Sequence, residues 1–294
     1  MRGAKPLQAL ETAIAEKLAI APGERVVVAA SGGPDSTALA ALATRAAREP
    51  GGRVVLAHVN HGLRSTAWQD EAVVLALGAA LGLAVHTRLL PPGSSAEEYL
   101  RDARYAALGA MAREAGAARV LTAHHAEDQT ETVLLALFRG AGPDGLAGMP
   151  AKRPLGVGLW LERPLLGIEP GELRAYCFAE RLAFALDPTN ADVTYRRNAV
   201  RSALAALRES FPHLDAAVAR CAAILSDERQ GAPRALARRR LRAELVASEG
   251  DARDLTFERL DAATRALERK SRGRHFLRRG LELVPRLPAE EPPQ

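Results

Sequence analysis

The chain has 294 residues, 48% of them hydrophobic and 26% charged, with a formal net charge of +5. That apolar fraction with so small a charge excludes a chain disordered along its length, and the length suits one large domain or two ordinary ones. No stretch approaches the ~18–20 uncharged apolar residues of a membrane span, and two cysteines, Cys177 and Cys221, do not make a disulfide framework, a CxxC pair or a four-thiolate metal site. The first residues carry Glu11 and Glu16 with no signal-peptide core, so the expected location is the cytoplasm and no membrane partner is expected.

In chain order, Arg25–Ala30, Arg53–Asn60, Ala84–Leu89 and Arg119–Ala123 read as short strands rich in β-branched residues and leucine, as central parallel strands are. Among them, Thr37–Arg48, Asp70–Leu81, Ala96–Ala115 and Asp128–Phe138 are rich in Ala and Leu at helical spacing. Strand and helix alternating four times predict an α/β fold: a doubly wound, mainly parallel sheet with helices on both faces and its ligand site at the carboxyl ends of the strands. Gly140–Pro154 is rich in Gly and Pro and reads as a loop. Leu159–Leu166 follows as an extended segment, then a helix from Glu169-Pro170 to about Glu180, a turn at Asp187–Asn190, and a helix over 198–210 broken by Phe211-Pro212. Beyond Pro212, Leu214, Val218, Cys221 and Leu225 recur at helical spacing, as do Phe257, Leu260 and Leu267; strand character returns only near the end. The expected organisation is a catalytic domain over 1–212, a small, mainly helical domain over 213–286 and a disordered tail over 287–294.

The positive charge is uneven. Residues 1–212 hold 23 Lys/Arg against 22 Asp/Glu, whereas residues 213–294 hold 17 against 13. Heavy Arg and Ala usage is simply explained by GC-rich coding. The clusters Arg238-Arg239-Arg240 and Arg272, Arg274, Arg278, Arg279 suit phosphate neutralisation or a solvated helix face.

The most informative segment is Val26–Ala40, VVVAASGGPDSTALA. A strand ends, a glycine turn follows and a helix begins, which is the geometry of a phosphate site: Gly32 and Gly33 let backbone N–H groups approach an anion, and the helix N-terminus adds partial positive charge. Ser31 and Ser36 offer hydroxyl donors on either side of Pro34. Asp35 would repel bare phosphate, so it makes sense as a Mg²⁺ ligand. No Gly-Lys-Ser/Thr follows and no GxGxxG is present, so neither the Walker loop nor the dinucleotide fingerprint fits.

SGGPDS resembles the SGGxDS loop of the N-type ATP pyrophosphatases (PP-loop proteins), which cleave ATP between the α and β phosphates. Further strings, VNHGLR at 59–64, RDARYAAL at 101–108, AHHAEDQTETVLLALFRGAGPDGLAGM at 123–149, RPLL at 163–166, DPTN at 187–190 and RNAVR at 197–201, resemble in order and spacing the tRNA(Ile)-lysidine synthase family over about residues 20–215. The resemblance implies a ligase that uses ATP to join L-lysine to C2 of the wobble cytidine of the isoleucine tRNA with a CAU anticodon. It proceeds through an adenylated cytidine, releases pyrophosphate and then AMP, and shifts codon reading from AUG to AUA.

On that resemblance, Ser31, Gly32, Gly33, Pro34, Asp35, Ser36, Arg64 and His124 line the ATP site, with Arg64 on a phosphate. Asp35, Asp128, Glu131 and His61 are the catalytic candidates. Asp128 and Glu131 lie within one helical turn, where they hold the lysine ammonium, assist metal binding, or both; His61 contacts nucleotide or cytosine. Arg104 suits an RNA or ATP phosphate, and Asn198 and Arg201, one turn apart, contact tRNA or substrate. The family's Asp-Asp-Gln reads Glu127-Asp128-Gln129 here, which leaves Glu127 without an assigned role. Many family members carry a further C-terminal domain, and the stretch after Pro212 is expected to supply the helical, tRNA-contacting domain over 213–286 alone. A homodimer is compatible with the sequence. The competing readings are a tRNA 2-thiolation enzyme, another PP-loop synthetase, or a non-catalytic nucleotide- or RNA-binding module.

Overall fold

The Val and Leu runs of the central strands, Val26–Val28 and Val120–Leu121, are buried on both faces. The computed structural model describes residues 4–62, 67–90, 97–185, 196–229, 233–249, 257–268, 275–278 and 281–283. Its elements are α1 (Ala4–Leu18), β1 (Arg25–Ala29), α2 (Pro34–Arg48), β2 (Arg53–Asn60), α3 (Ala67–Leu81), β3 (Ala84–Leu89), α4 (Glu97–Glu114), β4 (Arg119–Leu121) and α5 (Ala126–Phe138). The single turn α6 (Pro143–Leu146), β5 (Lys152–Gly156), β6 (Leu159–Glu162), α7 (Pro170–Ala179), α8 (Arg196–Ser210) and α9 (Leu214–Arg229) follow, then α10 (Pro233–Glu249), α11 (Phe257–Glu268), β7 (His275–Arg278) and β8 (Leu281–Leu283).

Six strands form one sheet in the order β3-β2-β1-β4-β6-β5, parallel except for β5, which runs antiparallel to β6. Side chains alternate across it with the strand period of two. Val26, Val28, Leu56 and Leu121 join a core with Ile14 and Leu18 of α1, Leu39 and Leu42 of α2, Val74 and Leu77 of α3, and Leu173 and Tyr176 of α7. Val27, Ala57, Val120 and Leu161 join a second core with Tyr105, Leu108 and Met111 of α4. The doubly wound expectation therefore holds. The chain steps outward from β1 through β2 to β3, and α4 then returns it on the other face to β4. Strand order reverses between β1 and β4, and ligands of open α/β sheets bind at such a crevice.

Two expectations change. Gly140–Pro154 is not all loop: its last residues belong to β5. A Pro and a Gly are admissible there because β5 is an edge strand, and the register shifts between Pro154 and Gly156. Helix α1, unassigned from sequence, buries Leu10, Ile14 and Leu18, one per turn, against the first core.

The chain divides into two compact units, Met1–Arg220 and Cys221–Gln294, so the division falls inside α9 and not after Pro212. Phe211-Pro212 does interrupt the helices. Across that break, however, Arg208 of α8 donates to Asp215 of α9 through Nε–Oδ2 at 2.6 Å and Nη2–Oδ1 at 3.0 Å, tying the first turn of α9 to the catalytic unit.

The second unit contains α10, α11 and the β7–β8 hairpin. In it Arg238 is only 7% exposed and donates to Asp261 at 2.6 Å and Asp227 at 2.9 Å. It is therefore committed to fastening helices and not to phosphate, because a buried guanidinium needs carboxylates around it. Residues 272, 274, 279 and 287–294 lie outside the described residues. No helix among the described residues is long and apolar enough to cross a membrane.

Candidate active site

The loop after β1 is held open by its own side chains. Ser36 Oγ accepts from the Ser31 amide at 3.1 Å and donates to the Gly33 carbonyl at 3.0 Å, and the Gly33 amide donates to Ser31 Oγ at 3.3 Å. The two serine hydroxyls lie 3.1 Å apart. Gly32 has φ +89°, and a Cβ there would lie 3.2 Å from the Asp70 carbonyl oxygen of α3, so backbone geometry and close approach both require glycine. The Gly32 carbonyl accepts from the Ala185 amide at 2.8 Å, and the Pro34 carbonyl accepts from the Cys177 thiol at 3.3 Å. Gly33 is the N-cap of α2 and supplies no side-chain cap, while Pro34 opens the first turn. The first-turn N–H groups of α2 thus point, uncapped, from the carboxyl edge of the sheet: an anion site made of backbone.

Asp35 stands beside it. Its Oδ1 is buried with no hydrogen-bond partner. Burial, most of all, raises its pKa; His125 pulls the other way, and Asp128 adds to the rise. An orphaned carboxylate oxygen next to a second carboxylate at a phosphate cradle is a donor set that fits Mg²⁺.

Across the crevice, β4 delivers the N-terminus of α5. His125 is its N-cap residue, and Asp128 folds back so that its Oδ2 accepts from the His125 amide at 3.1 Å. The His125 ring bridges the two sides of the switch point: Nε2 lies 3.7 Å from Asp35 Oδ2 and 3.5 Å from Asp128 Oδ2. Sequence reading chose its neighbour His124, whose Nδ1 instead pairs with Thr122 Oγ1 at 2.9 Å. The position of His125, three residues before Asp128 at a helix start, was the signal that marked it.

Glu131 separates from Asp128. It is fully buried, and Arg201 of α8 grips it through Nε–Oε1 at 2.6 Å and Nη2–Oε2 at 3.2 Å. The two candidates Glu131 and Arg201 are therefore one bidentate pair that fixes α8 on α5. Asn198 shares α8, but its side chain lies outside the described residues, as does the whole of Arg64. His61 is half-buried just past the carboxyl end of β2, and Arg104 is half-buried in the first half of α4. Glu127, which had no assigned role, gathers with Glu169 and Asp215 so closely that their oxygens lie within 4.8 Å of one another. Arg208 binds Asp215 and lies 3.6 Å from Glu127. No local sequence pattern announces this group, which draws on three separate elements.

The PP-loop domain family matches residues 6–207. A tRNA(Ile)-lysidine synthase from Ralstonia nicotianae is 46% identical over 208 residues, covering 69% of this chain and 45% of that protein. One from Symbiobacterium thermophilum is 43% identical over 198 residues, 65% of this chain and 41% of that protein. The chain thus spans about half the length of these curated relatives. Among solved structures, the U34-tRNA thiolase NcsA from Methanococcus maripaludis, with its [4Fe-4S] cluster, superposes with a TM-score of 0.65 at 15% identity, over 75% of this chain and 79% of that one. At that identity the likeness concerns the fold.

Proposed function

The chain belongs to the PP-loop family, and from that premise we propose that it uses ATP to ligate L-lysine to C2 of the wobble cytidine of the isoleucine tRNA with a CAU anticodon, in the cytoplasm. The observation that carries the proposal is the convergence of Asp35 and Asp128 on the His125 ring across the β1/β4 crevice, directly beside an uncapped helix N-terminus. The name borne by the relatives supports the choice of lysine and of this tRNA.

In the first step the cytosine O2 attacks the α-phosphorus of ATP, an O–P bond forms, and pyrophosphate leaves. The backbone N–H groups at Gly32 and in the first turn of α2 receive the charge that builds on the phosphates. Asp35, with its orphaned Oδ1, would hold Mg²⁺, helped by Asp128; the ion supplies charge neutralisation for the departing pyrophosphate. In the second step the lysine ε-amine forms the C2–N bond, the C2–O bond breaks, AMP leaves, and the amine gives up a proton. Asp128, at the crevice, is the carboxylate we assign to the lysine ammonium. Glu131 is assigned with Arg201 to positioning, because its oxygens are already occupied. His61 and His124 are assigned to the nucleotide side, and Arg64, Arg104 and Asn198 to phosphate or tRNA contact.

Of the two thiols, Cys221 is exposed on α9, in the second unit, and Cys177 is poorly suited to sulfur transfer. Cys177 is buried under the loop, and burial, with the Asp35 charge adding, pushes its pKa up to about 11.

The test is incorporation of radiolabelled lysine into unmodified isoleucine tRNA bearing CAU, with methionine tRNA and ATP-free controls. ATP-dependent label in the isoleucine tRNA alone is expected. Pyrophosphate release with another substrate, without lysine incorporation, would move the chain to a different PP-loop activity.

A further inference from the structure

The carboxyl edge of the sheet carries a second charged feature that the loop chemistry does not use. Strand alternation places it. Leu161 of β6 faces α4, so Arg163, two residues on, faces α4 as well, and Arg153 of β5 pairs in register with Leu161. All meet Tyr105 of α4. The Arg153 guanidinium carbon lies 4.6 Å from the Tyr105 ring centroid and that of Arg104 lies 5.2 Å from it. Arg163 lies close enough to the phenol for each of the two groups to shift the other's titration.

Arg163 is only 5% exposed. Its Nη1 donates to the Pro150 carbonyl at 2.8 Å, yet its buried Nε has no partner, and neither has the buried Nε of Arg104. A buried guanidinium is ordinarily matched by a carboxylate. Here the groups acting on Arg163 are the phenol of Tyr105 and two further cations, Arg153 and Arg101. Burial would raise the Tyr105 pKa, but Arg104 and Arg163 outweigh it and hold the phenol below its ordinary value. The cluster thus concentrates positive charge and two buried, unpartnered N–H donors against one neutral group.

We propose that Arg104, Arg153 and Arg163, gathered on Tyr105, form a phosphate-binding site on the rim of the crevice, separate from the PP-loop, that takes a backbone phosphodiester of the RNA substrate. The forked geometry of guanidinium suits phosphate oxygens. RNA is favoured over ATP because the cluster lies on the α4 side of the sheet, whereas α2, which the PP-loop opens, packs on the opposite side. The proposal rests on the reading that the substrate is RNA.

The test is tRNA binding by the full chain over a salt series, with ATP binding measured separately without RNA, for Arg153→Gln, Arg163→Gln and Tyr105→Phe, and with Arg48→Gln as a remote control. Arg153→Gln should weaken isoleucine and methionine tRNAs alike by several-fold and reduce the log–log salt slope by about one, with ATP affinity unchanged. Arg153 is half-buried, so it decides the matter if Arg163→Gln fails to fold. An unchanged slope in Arg153→Gln overturns the proposal. A loss of ATP affinity with the RNA slope intact overturns the RNA assignment and gives the site to a nucleotide phosphate. A wild-type chain that binds no tRNA overturns both this site and the proposed function. Arginine-dependent RNA binding without lysine incorporation keeps the site and fails only the functional reading.

Discussion

Arginines in this chain do two kinds of work. In the second unit, Arg238 sits between Asp227 and Asp261, and Arg239 grips Glu228 through two bonds of 3.0 and 2.6 Å. In the first unit, Arg104, Arg153 and Arg163 surround a phenol. The residue type is the same. What differs is whether carboxylates stand within reach: where they do, the guanidinium is consumed in fastening helices, and where they do not, it remains a donor for an incoming anion. The surplus of basic residues after position 212 is thus a poor measure of RNA affinity, since two of the three residues in the Arg238–Arg240 run are already paired. Arg240 and Arg242, by contrast, are exposed on the same helix α10.

The largest expected effect lies at the crevice that both kinds of arginine leave alone. Asp35→Asn should cut pyrophosphate release by roughly a thousandfold or more while tRNA binding persists, because it removes charge stabilisation at the departing phosphates; near-normal turnover would refute the metal assignment. Next comes the paired class. Arg201→Leu leaves the fully buried Glu131 carboxylate without its partner and should cost about 3–5 kcal/mol in urea unfolding, most of which Glu131→Gln in the same chain should restore. Arg238→Gln should cost about 2–3 kcal/mol for the same reason applied to Asp261. Arg153→Gln, from the unpaired class, should leave urea stability nearly unchanged, and equal losses for the two would dissolve the distinction. Arg239→Gln breaks only an exposed pair, and less than about 1 kcal/mol is expected.

The smallest effect is a pH-dependent one. Burial first, then the charges of Asp215 and Glu127, hold the Glu169 carboxyl above its ordinary range, and Arg208 only partly offsets them. The folded state therefore favours the protonated form, so this group's contribution is present below its unfolded pKa and is lost as pH rises through the folded one. Glu169→Gln should raise Tm at pH 7, and the gain should shrink toward acid pH. A gain that grew on acidification would show that Arg208, and not the neighbouring carboxylates, governs this group.

Much of the architecture is legible locally. The strand VVVA and the helix after it follow from β-branched burial and from Pro34 at a helix start, and the site loop from its two glycines. The strand β5 was not legible, since a stretch with Pro154 and Gly156 becomes a strand only when β6 offers an edge to pair with. Asp128 and Glu131 looked equivalent because helical spacing sets the angle between two side chains but says nothing of what each meets. Arg201, 70 residues away, claims one of them. The approach of His125 to Asp35 was not legible, because Asp35 stands in the first turn of α2, far away in sequence.

The sequence by itself determined the alternation of strands and helices, the phosphate loop and the residues able to serve it, since these depend on side-chain periodicity, glycine conformations and chemistry within a few positions. The tertiary structure alone decided which of them act together. Strand order β3-β2-β1-β4 brought Asp35 and Asp128 to one crevice, helix α8 drew Glu131 out of it, and strands β5 and β6 carried Arg153 and Arg163 to Tyr105. Electrostatic roles depend on the inverse of distance and on local burial, and neither quantity exists until the chain has closed on itself.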